Sequence, residues 1–282
     1  MARAWSSNSG QGRRGFRRRR SVRPIADRAA WLGGNVRRVR GRYRERGACV
    51  PGGLYDVVAA ALPTAGGAGL ALVDLLEPLA GKTVLIVGAG GGVGSFATQF
   101  AANAGASVIA NVRVQDAGRM RPYGATETID YAAIDLPDAV RQAHPDGIDV
   151  LIDVVDAEAP GFAALASLVR PGGTAVSTNY VADVEALRAA GITGINFALP
   201  ASSELFERVA DTIADARIVA PPITRISLEE APTALNPAQA RPASGKTVIT
   251  GRAQPHPGRR AGSRPRPTHT IHRDSEHRKP AI

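Results

Sequence analysis

The chain has 282 residues, of which 44% are hydrophobic, and this length and composition allow one large or two modest soluble domains. The formal net charge of +10 and the sequence pI near 10.7 come from the two ends of the chain. Residues 1–50 carry +13 and residues 251–282 carry +6, which leaves residues 51–250 at −9. The overall basic charge is therefore weak support for a nucleic-acid-binding function, because the region predicted to fold is acidic.

Cysteine usage and hydropathy exclude further classes. Cys49 is the single cysteine, so the sequence predicts neither an internal disulfide nor a multi-cysteine zinc site. We find no uninterrupted apolar stretch of roughly 20 residues, the length of a membrane-spanning helix, and no secretory signal pattern. A soluble protein of the cytoplasm, with no membrane partner, is expected.

The two basic ends are predicted to be disordered: a basic extension at residues 1–50 and a tail at residues 251–282. Arg, Gly, Ser and Pro dominate there without any helical or strand period. A basic arm that binds phosphate backbones or anionic lipid is the alternative. Sparse aromatic residues and the absence of Lys from residues 1–50 favour an unstructured extension, and make nucleic acid an unlikely partner.

Between the ends, strands and helices alternate over residues 54–250. Residues 54–79 predict a short helix, a turn containing Pro63 and Gly66, and a second helix. Further helices are predicted at 92–103, 116–123, 136–143, 160–169, 181–190, from 203 onward and at 228–235, and strands at 83–87, 107–112, 128–131, 149–155, 174–177, 194–199, 218–223 and 246–250. This alternation predicts an α/β fold with a Rossmann-type, doubly wound parallel sheet.

A glycine-rich turn between the strand at 83–87 and the helix at 92–103 predicts a dinucleotide site. Such turns let main-chain N–H groups and the positive end of a helix face a pyrophosphate. The motif fits best when Ala89 takes the first position, Gly91 the second and Gly94 the third. The other register, which starts at Gly88, puts Val93 where the third glycine belongs.

The end of the next strand predicts the cofactor type. An acidic residue there would bind the ribose 2′-hydroxyl of NADH, but Arg113 takes this position and Asn111 lies close by. A guanidinium suits a 2′-phosphate, so NADPH is predicted in preference to NADH. An exposed loop arginine without a ligand is the alternative.

Several segments together resemble the cofactor-binding half of the medium-chain dehydrogenase/reductase superfamily, in particular its zinc-independent quinone oxidoreductase branch. The resemblance covers about two thirds of the chain. The matching segments are residues 59–66, 89–94, 123–125 with 129–131, 149–155, 169–173 and 245–249.

This resemblance implies NADPH-dependent hydride transfer to a quinone or an α,β-unsaturated carbonyl, without zinc and with a homodimer as the assembly. It assigns binding roles to the turn, namely Ala89, Gly91, Gly92, Val93 and Gly94, and it leaves the catalytic groups unidentified. Outside the turn it places Arg113 at the 2′-phosphate, Tyr131 beside the adenosine, Val155 and Asp156 at the ribose, and Thr64 near the nicotinamide.

The chain also departs from the superfamily pattern. A GroES-like domain precedes the cofactor half in that superfamily and forms the second wall of the active-site cleft, whereas the arginine-rich residues 1–50 stand in its place here. A truncated, weakly active enzyme is therefore expected, with a catalytically silent NADPH-binding module as the alternative. Asp153 and Asp156 as an acid pair, His144, and a metal site among the tail histidines (His256, His269, His272 and His277) are weaker candidates.

Overall fold

Ten strands and eight helices make up the computed structural model, which describes residues 21–22, 48–49, 56–200, 202–234 and 244–250. The strands are β1 (Ser21–Val22), β2 (Ala48–Cys49), β3 (Thr83–Val87), β4 (Ser107–Val112), β5 (Ala125–Asp130), β6 (Ile148–Asp153), β7 (Val169–Ser177), β8 (Thr193–Asn196), β9 (Ile223–Ser227) and β10 (Lys246–Thr250). The helices are α1 (Asp56–Leu76), α2 (Gly92–Asn103), α3 (Val114–Met120), α4 (Leu136–Ala143), α5 (Ala159–Ala166), α6 (Val184–Ala189), α7 (Ser203–Ala214) and α8 (Ala231–Ala234).

Six of these strands form one parallel sheet in the order β5-β4-β3-β6-β7-β8. Relative to its first strand, β3, this is the order 3-2-1-4-5-6 of a doubly wound dinucleotide-binding sheet. The chain reverses its direction of winding between β3 and β6, where such folds bind their ligands. The predicted fold class is therefore confirmed. The antiparallel pair β1–β2 and the parallel pair β9–β10 are separate two-stranded sheets.

Apolar side chains on both faces of the sheet account for its layered packing. The central strands are buried almost throughout, as expected for parallel strands covered on two sides. Helices α1, α2 and α7 cover one face, where Ile86 and Phe96 are fully buried. Helices α4, α5 and α6 cover the other, where Leu85 and Phe162 are buried. The sheet therefore has the two-sided cover that the alternating pattern predicts.

Helix α1 corrects the prediction of two short helices. It runs without a break through Pro63, which lies in its third turn. Proline inside a helix costs about 3 kcal/mol, so sequence pattern alone favours a break there. Burial offsets this cost, because Gly66 and Gly67 lie against Val209 and Phe206 of α7, and Gly69 lies against Phe96 of α2.

Among the described residues, α1 is the one helix long and apolar enough to cross a membrane, with a mean hydropathy of 1.5. This corrects the expectation that no stretch reaches that length. However, 72% of the apolar window is buried inside the protein. Such burial is typical of a core helix, and α1 packs under α2 and α7.

Several element boundaries also differ from the predictions. Strand β9 lies at Ile223–Ser227 and not at 218–223, because the Gln99 side chain of α2 occupies the backbone groups of Val219 that a strand would need. Gln99 Nε2 donates to the Val219 carbonyl (2.9 Å), and the Val219 N–H donates to Gln99 Oε1 (2.7 Å). Strand β7 begins at Val169 and not at 174, and the register shifts within it, where Val169 pairs with Ile148 and Thr174 pairs with Val150.

Hydrogen bonds of the Asp149 side chain, here called the Asp149 clamp, link three strands at the amino edge of the sheet, which is the end where its strands begin. Asp149 Oδ2 of β6 accepts a hydrogen bond from the Thr83 N–H at the start of β3 (2.8 Å), and Asp149 Oδ1 accepts one from Arg170 Nε of β7 (2.8 Å). This edge lies opposite the carboxyl ends of the strands. The amino edge is thus fixed by an ion pair and a main-chain hydrogen bond.

The glycines of α1 give a test of its packing. A Cβ added at Gly69 would lie 2.6 Å from Phe96 Cβ and 2.9 Å from the Ala97 main-chain nitrogen. We expect Gly69→Ala to lower the free energy of unfolding by about 1–3 kcal/mol, even though alanine favours a helix. Urea denaturation followed by circular dichroism measures the change.

Gly118 of α3 is the matched control, because a Cβ there would meet no atom within 4 Å. Gly118→Ala should raise the free energy of unfolding by up to about 1 kcal/mol through helix propensity alone. Equal effects of the two substitutions would contradict the close approach of α1 to α2.

Candidate functional site

The glycine turn joins β3 to α2 at the carboxyl edge of the sheet. Gly88 adopts a left-handed conformation (φ +82°), and the Gly91 N–H donates to the Gly88 carbonyl (3.0 Å). The buried Ser95 hydroxyl donates to the Ala89 carbonyl (3.0 Å), which ties the turn to the helix. Sequence analysis did not select Ser95, yet this bond fixes where α2 begins.

Gly94 lets the helix lie directly on the turn. A Cβ at this position would be 2.2 Å from the Gly88 carbonyl oxygen and 2.6 Å from Ala89 Cα. At Gly91 a Cβ would meet one atom, the Gly88 carbonyl oxygen, at 3.3 Å. The contacts at Gly94 are those expected of the third glycine in the register that begins at Ala89.

The first turn of α2 offers main-chain donors at a partly open edge. Gly91, the N-cap, has extended backbone angles and makes no side-chain capping bond. Gly92 and Val93 are half-buried, and the N–H groups of a first helical turn have no partner within their own helix. Together with the positive end of the helix, such donors are suited to a phosphate group.

Lys246 lies over this first turn, and sequence analysis did not select it. Its Cδ would lie 2.4 Å from a Cβ at Gly92, so glycine is needed there for the lysine stem to pass. Burial lowers the pKa of the Lys246 amine below its usual range. A cation beside the positive end of a helix is unfavourable by itself, and an anion bound between them would relieve the repulsion. The motif 245–249 was part of the resemblance, but its proximity to the turn depends on tertiary packing.

Arg113 and Tyr131 meet at the ends of β4 and β5. Arg113 Nε donates to the Tyr131 hydroxyl at 2.6 Å, and the guanidinium carbon lies 5.6 Å from the centre of the ring. Neither Nη nitrogen of Arg113 has a hydrogen bond or ion pair within the described part of the chain. Asn111, in contrast, is buried and donates to the Ile129 carbonyl (3.3 Å). Arg113 is therefore better placed than Asn111 to meet a ligand.

An acidic residue lies beside the glycine turn, although no acidic residue stands at the end of β4. Asp116 of α3 has its Oδ2 atom 3.2 Å from the position of a Cβ at Gly90. Its carboxylate pairs with Arg119 (3.2 Å), whose side chain also donates to the Gly90 carbonyl. The sequence prediction looked for an acidic residue at the end of β4. The structure instead has Asp116 and Arg119 beside the turn, because helix α3 begins at Val114 and brings both residues back to it.

The loop after β6 forms the other side of the site. A Cβ at Gly88 would lie 2.4 Å from Val155 Cγ2, so the loop touches the glycine turn. Asp153 Oδ1 accepts hydrogen bonds from the Val155 N–H (2.8 Å) and the Asp156 N–H (3.1 Å). Asn179 Nδ2 donates to the Asp156 carbonyl (2.8 Å) and ties in the loop after β7. Val155 and Asp156 are thus held at the switch point, with Val155 56% exposed.

Asp153 is itself buried, with 1% of its surface exposed. Burial, with a smaller contribution from the Asp156 carboxylate, raises the pKa of its carboxyl to about 6 against the opposing effect of the two N–H donors. Its Oδ2 atom has no hydrogen-bond partner among the described residues. Asp153 thus orders the loop through Oδ1, and its role as an acid pair with Asp156 stays a prediction.

The remaining candidates from the sequence are Thr64, His144 and the histidines of the tail. Thr64 is exposed on α1, next to Ala65, whose Cβ would lie 3.3 Å from a Cβ at Gly92. His144 pairs with Glu127 (Nε2 to Oε1, 3.2 Å) on the surface, a partner that sequence spacing does not reveal. The tail histidines fall outside the described residues, within which no group of three His, Cys, Asp or Glu side chains is arranged for a metal ion. The absence of zinc stays a prediction.

Comparison with known proteins finds similarity over part of the chain. The profile of a family described as zinc-binding dehydrogenase matches residues 92–196, from the start of α2 to the end of β8. This family model describes the cofactor-binding domain of the medium-chain dehydrogenase/reductase superfamily, and it matches less than half of the chain. The matched residues lie in the cofactor-binding domain of that superfamily, as the resemblance predicted.

Solved structures of quinone oxidoreductases and alcohol dehydrogenases share the fold. The quinone oxidoreductase from Coxiella burnetii is 25% identical, with a TM-score of 0.60, over 67% of this chain and 59% of that one. Mycobacterial Rv1454c, solved as a complex with NADPH, is 26% identical, with a TM-score of 0.62, over 72% of this chain and 67% of that one. Alcohol dehydrogenases are also among the similar structures.

One curated protein is similar over a shorter stretch. The ubiquinone biosynthesis O-methyltransferase of Thiobacillus denitrificans is 35% identical over 109 residues. This similarity covers 36% of the present chain and 45% of the methyltransferase. The present chain thus spans less than half of that relative and 59% of the Coxiella enzyme.

The buried Asp153 carboxyl gives a test of the site loop. Because its folded pKa lies near 6, above the ordinary value of 3.8, the folded protein binds this proton more tightly than the unfolded chain does. This contribution to stability is present at low pH and is lost as the pH rises through 6. Between about pH 4 and about pH 7, wild type should lose up to about 3 kcal/mol that Asp153→Asn does not lose.

Urea denaturation at a series of pH values measures this difference, and Asp211→Asn on the exposed face of α7 is the control. The stability of Asp153→Asn relative to wild type should increase with pH. Parallel stability curves for the two proteins would contradict a buried carboxyl that titrates near pH 6.

Proposed function

We propose that this chain binds NADPH at the glycine turn and belongs to an oxidoreductase that reduces a quinone or an α,β-unsaturated carbonyl. The observation that carries the proposal is the packing at Gly94, which brings the first turn of α2 onto the switch point with Lys246 above it. This cradle suits a dinucleotide pyrophosphate in shape and in charge.

Each part of the cofactor then has a counterpart in the chain. The N–H groups of Gly92 and Val93, with the Lys246 amine, would hold the pyrophosphate. Gly91, whose N–H donates to the Gly88 carbonyl, would let the backbone approach the pyrophosphate, while Ala89 and Gly94 shape the turn. Arg113 would pair with the 2′-phosphate and Tyr131 would flank the adenosine. Val155 and Asp156 would border the ribose next to the nicotinamide, and Thr64 would lie near that ring.

The bound cofactor would supply the hydride, and the protein would supply orientation and electrostatics. Similarity to a quinone oxidoreductase supports the reaction class. The similar structures include both an NADPH complex and an NAD-dependent alcohol dehydrogenase, so they support a nicotinamide cofactor, and the choice of NADPH rests on Arg113. Because the chain spans only part of these proteins, the activity of the whole enzyme, its substrate, a homodimeric assembly and a cytoplasmic location are all proposals.

Calorimetry with NADPH, NADH and S-adenosylmethionine tests the proposal directly. NADPH should bind at one saturable site, and oxidation of NADPH should then be assayed with 1,4-benzoquinone and with methyl vinyl ketone. Binding without oxidation would favour the silent cofactor-binding module. Absence of NADPH binding would overturn the proposal, and selective binding of S-adenosylmethionine would favour the methyltransferase similarity.

The preference for NADPH has its own test at Arg113. Arg113→Gln should raise the Kd for NADPH about 10- to 100-fold, since hydrogen bonds between charged groups are lost, and should leave the Kd for NADH nearly unchanged. Isothermal titration at two salt concentrations measures both constants.

Arg121→Gln, an exposed arginine just after α3, controls for the loss of one positive charge. It should change neither constant by more than about twofold, because exposed charges are screened. Equal losses of NADH and NADPH affinity in Arg113→Gln would remove the 2′-phosphate assignment.

A further inference from the structure

A cluster of three polar side chains joins helix α3 to the start of β10 through the glycine turn. Arg119 Nη1 donates to Ser244 Oγ at 2.7 Å, and Ser244 Oγ donates to Asp116 Oδ1 at 2.6 Å. Arg119 also pairs with Asp116. We call these three residues the 116–119–244 cluster. Its two charged side chains are largely buried, with 13% and 18% exposed for Asp116 and Arg119.

The cluster converges on one carbonyl of the turn. The Gly90 carbonyl accepts hydrogen bonds from Arg119 Nη2 and from the Gly245 N–H (3.1 Å). Gly245 also forms a parallel bridge with Gly91. Residues 244–245 therefore lie along the turn. The Ser244 side chain and the main-chain hydrogen bond of Gly245 hold them there.

This contact determines where Lys246 lies. The Lys246 N–H donates to the Pro222 carbonyl (2.9 Å), so the residue is fixed to β9 on its other side. With Gly245 against the turn and Lys246 against Pro222, the lysine stem crosses Gly92. Arg119 Nε is buried without a hydrogen-bond partner among the described residues, so the arginine accepts a desolvation cost to hold this arrangement.

We infer that Asp116, Arg119 and Ser244 are positioning residues that place Lys246 over the first turn of α2. The cluster therefore contributes to anion binding at the turn through Lys246, without touching the anion itself. The charge of Arg119 is neutralised by Asp116, which leaves Lys246 as the cation of this part of the site. The inference rests on the proposed function for its cofactor measurement, and a second measurement is independent of any cofactor.

The first measurement is a double-mutant cycle on the affinity for NADPH. Ser244→Ala should raise the Kd about tenfold, and Ser244→Thr, which keeps a hydroxyl, should restore most of the affinity. In a Lys246→Gln background, Ser244→Ala should have no further effect, because the residue through which it acts is gone. Thr250→Val, which removes a hydroxyl from the far end of β10 where it bonds the Ile226 carbonyl, is the matched control.

The second measurement follows Lys246 itself. The chain has three lysines, Lys82, Lys246 and Lys279, so acetylation by acetic anhydride can be followed at each by mass spectrometry. Because release of Lys246 also raises its pKa and so reduces its neutral fraction, acetylation is followed over a series of pH values to obtain the rate constant of the neutral amine. This constant, relative to that of Lys82, should rise at least about threefold in Ser244→Ala, since the amine leaves its half-buried position. The rate in Thr250→Val should equal that of wild type, and thermal unfolding confirms that each variant is folded.

The outcomes distinguish the positioning role of the cluster from the proposed function. Faster acetylation of Lys246 together with non-additive effects on NADPH affinity supports the positioning role. Faster acetylation without any NADPH binding by wild type supports the positioning role and overturns the proposed function. An unchanged acetylation rate in folded Ser244→Ala, or an equal loss of affinity in both backgrounds, overturns the inference.

Discussion

The close approach of α2 to the end of β3 is the constraint on which the rest of the site depends. At Gly94 the helix backbone lies so near Gly88 and Ala89 that no side chain fits between them. This contact fixes the position of the first helical turn, whose N–H groups then face the switch point of the sheet. The Ala89 N–H bonds to the Asn111 carbonyl of β4 (3.2 Å), so the turn is also tied to the neighbouring strand.

Charge is distributed unevenly around this turn. The chain between the basic ends is acidic, yet Lys246 and Arg113 lie at the open edge of the sheet without an ion-pair partner in the described ranges. Arg119, in contrast, is neutralised by Asp116 inside the protein. Two cations and a helix N-terminus thus make a local positive region on an acidic domain, which would favour a polyanionic ligand over a neutral one.

Local signals predicted much of the fold. The bounds of β3, β4, α2, α4 and β10 agree with the sequence predictions, because strand-forming runs, glycine turns and helix caps lie within a few residues of each other. The register of the glycine motif was predictable for the same reason. Helix α1 was not, since its continuity through Pro63 depends on packing against residues more than thirty positions away. Lys246 was missed because its proximity to the turn arises only when β10 folds back to it, and Arg119 was missed because helix α3 must first bring it back to the turn.

The Asp149 clamp lies at the opposite end of the sheet from the candidate site. It joins β3, β6 and β7 at the amino edge of the sheet, whereas the glycine turn, Arg113 and the loop after β6 lie at the carboxyl edge. Under the proposed function, rigidity and recognition lie at opposite ends of the same strands. Substitutions that remodel the carboxyl-edge loops leave the register of the sheet intact, so the specificity of such a domain can diverge while its scaffold is preserved.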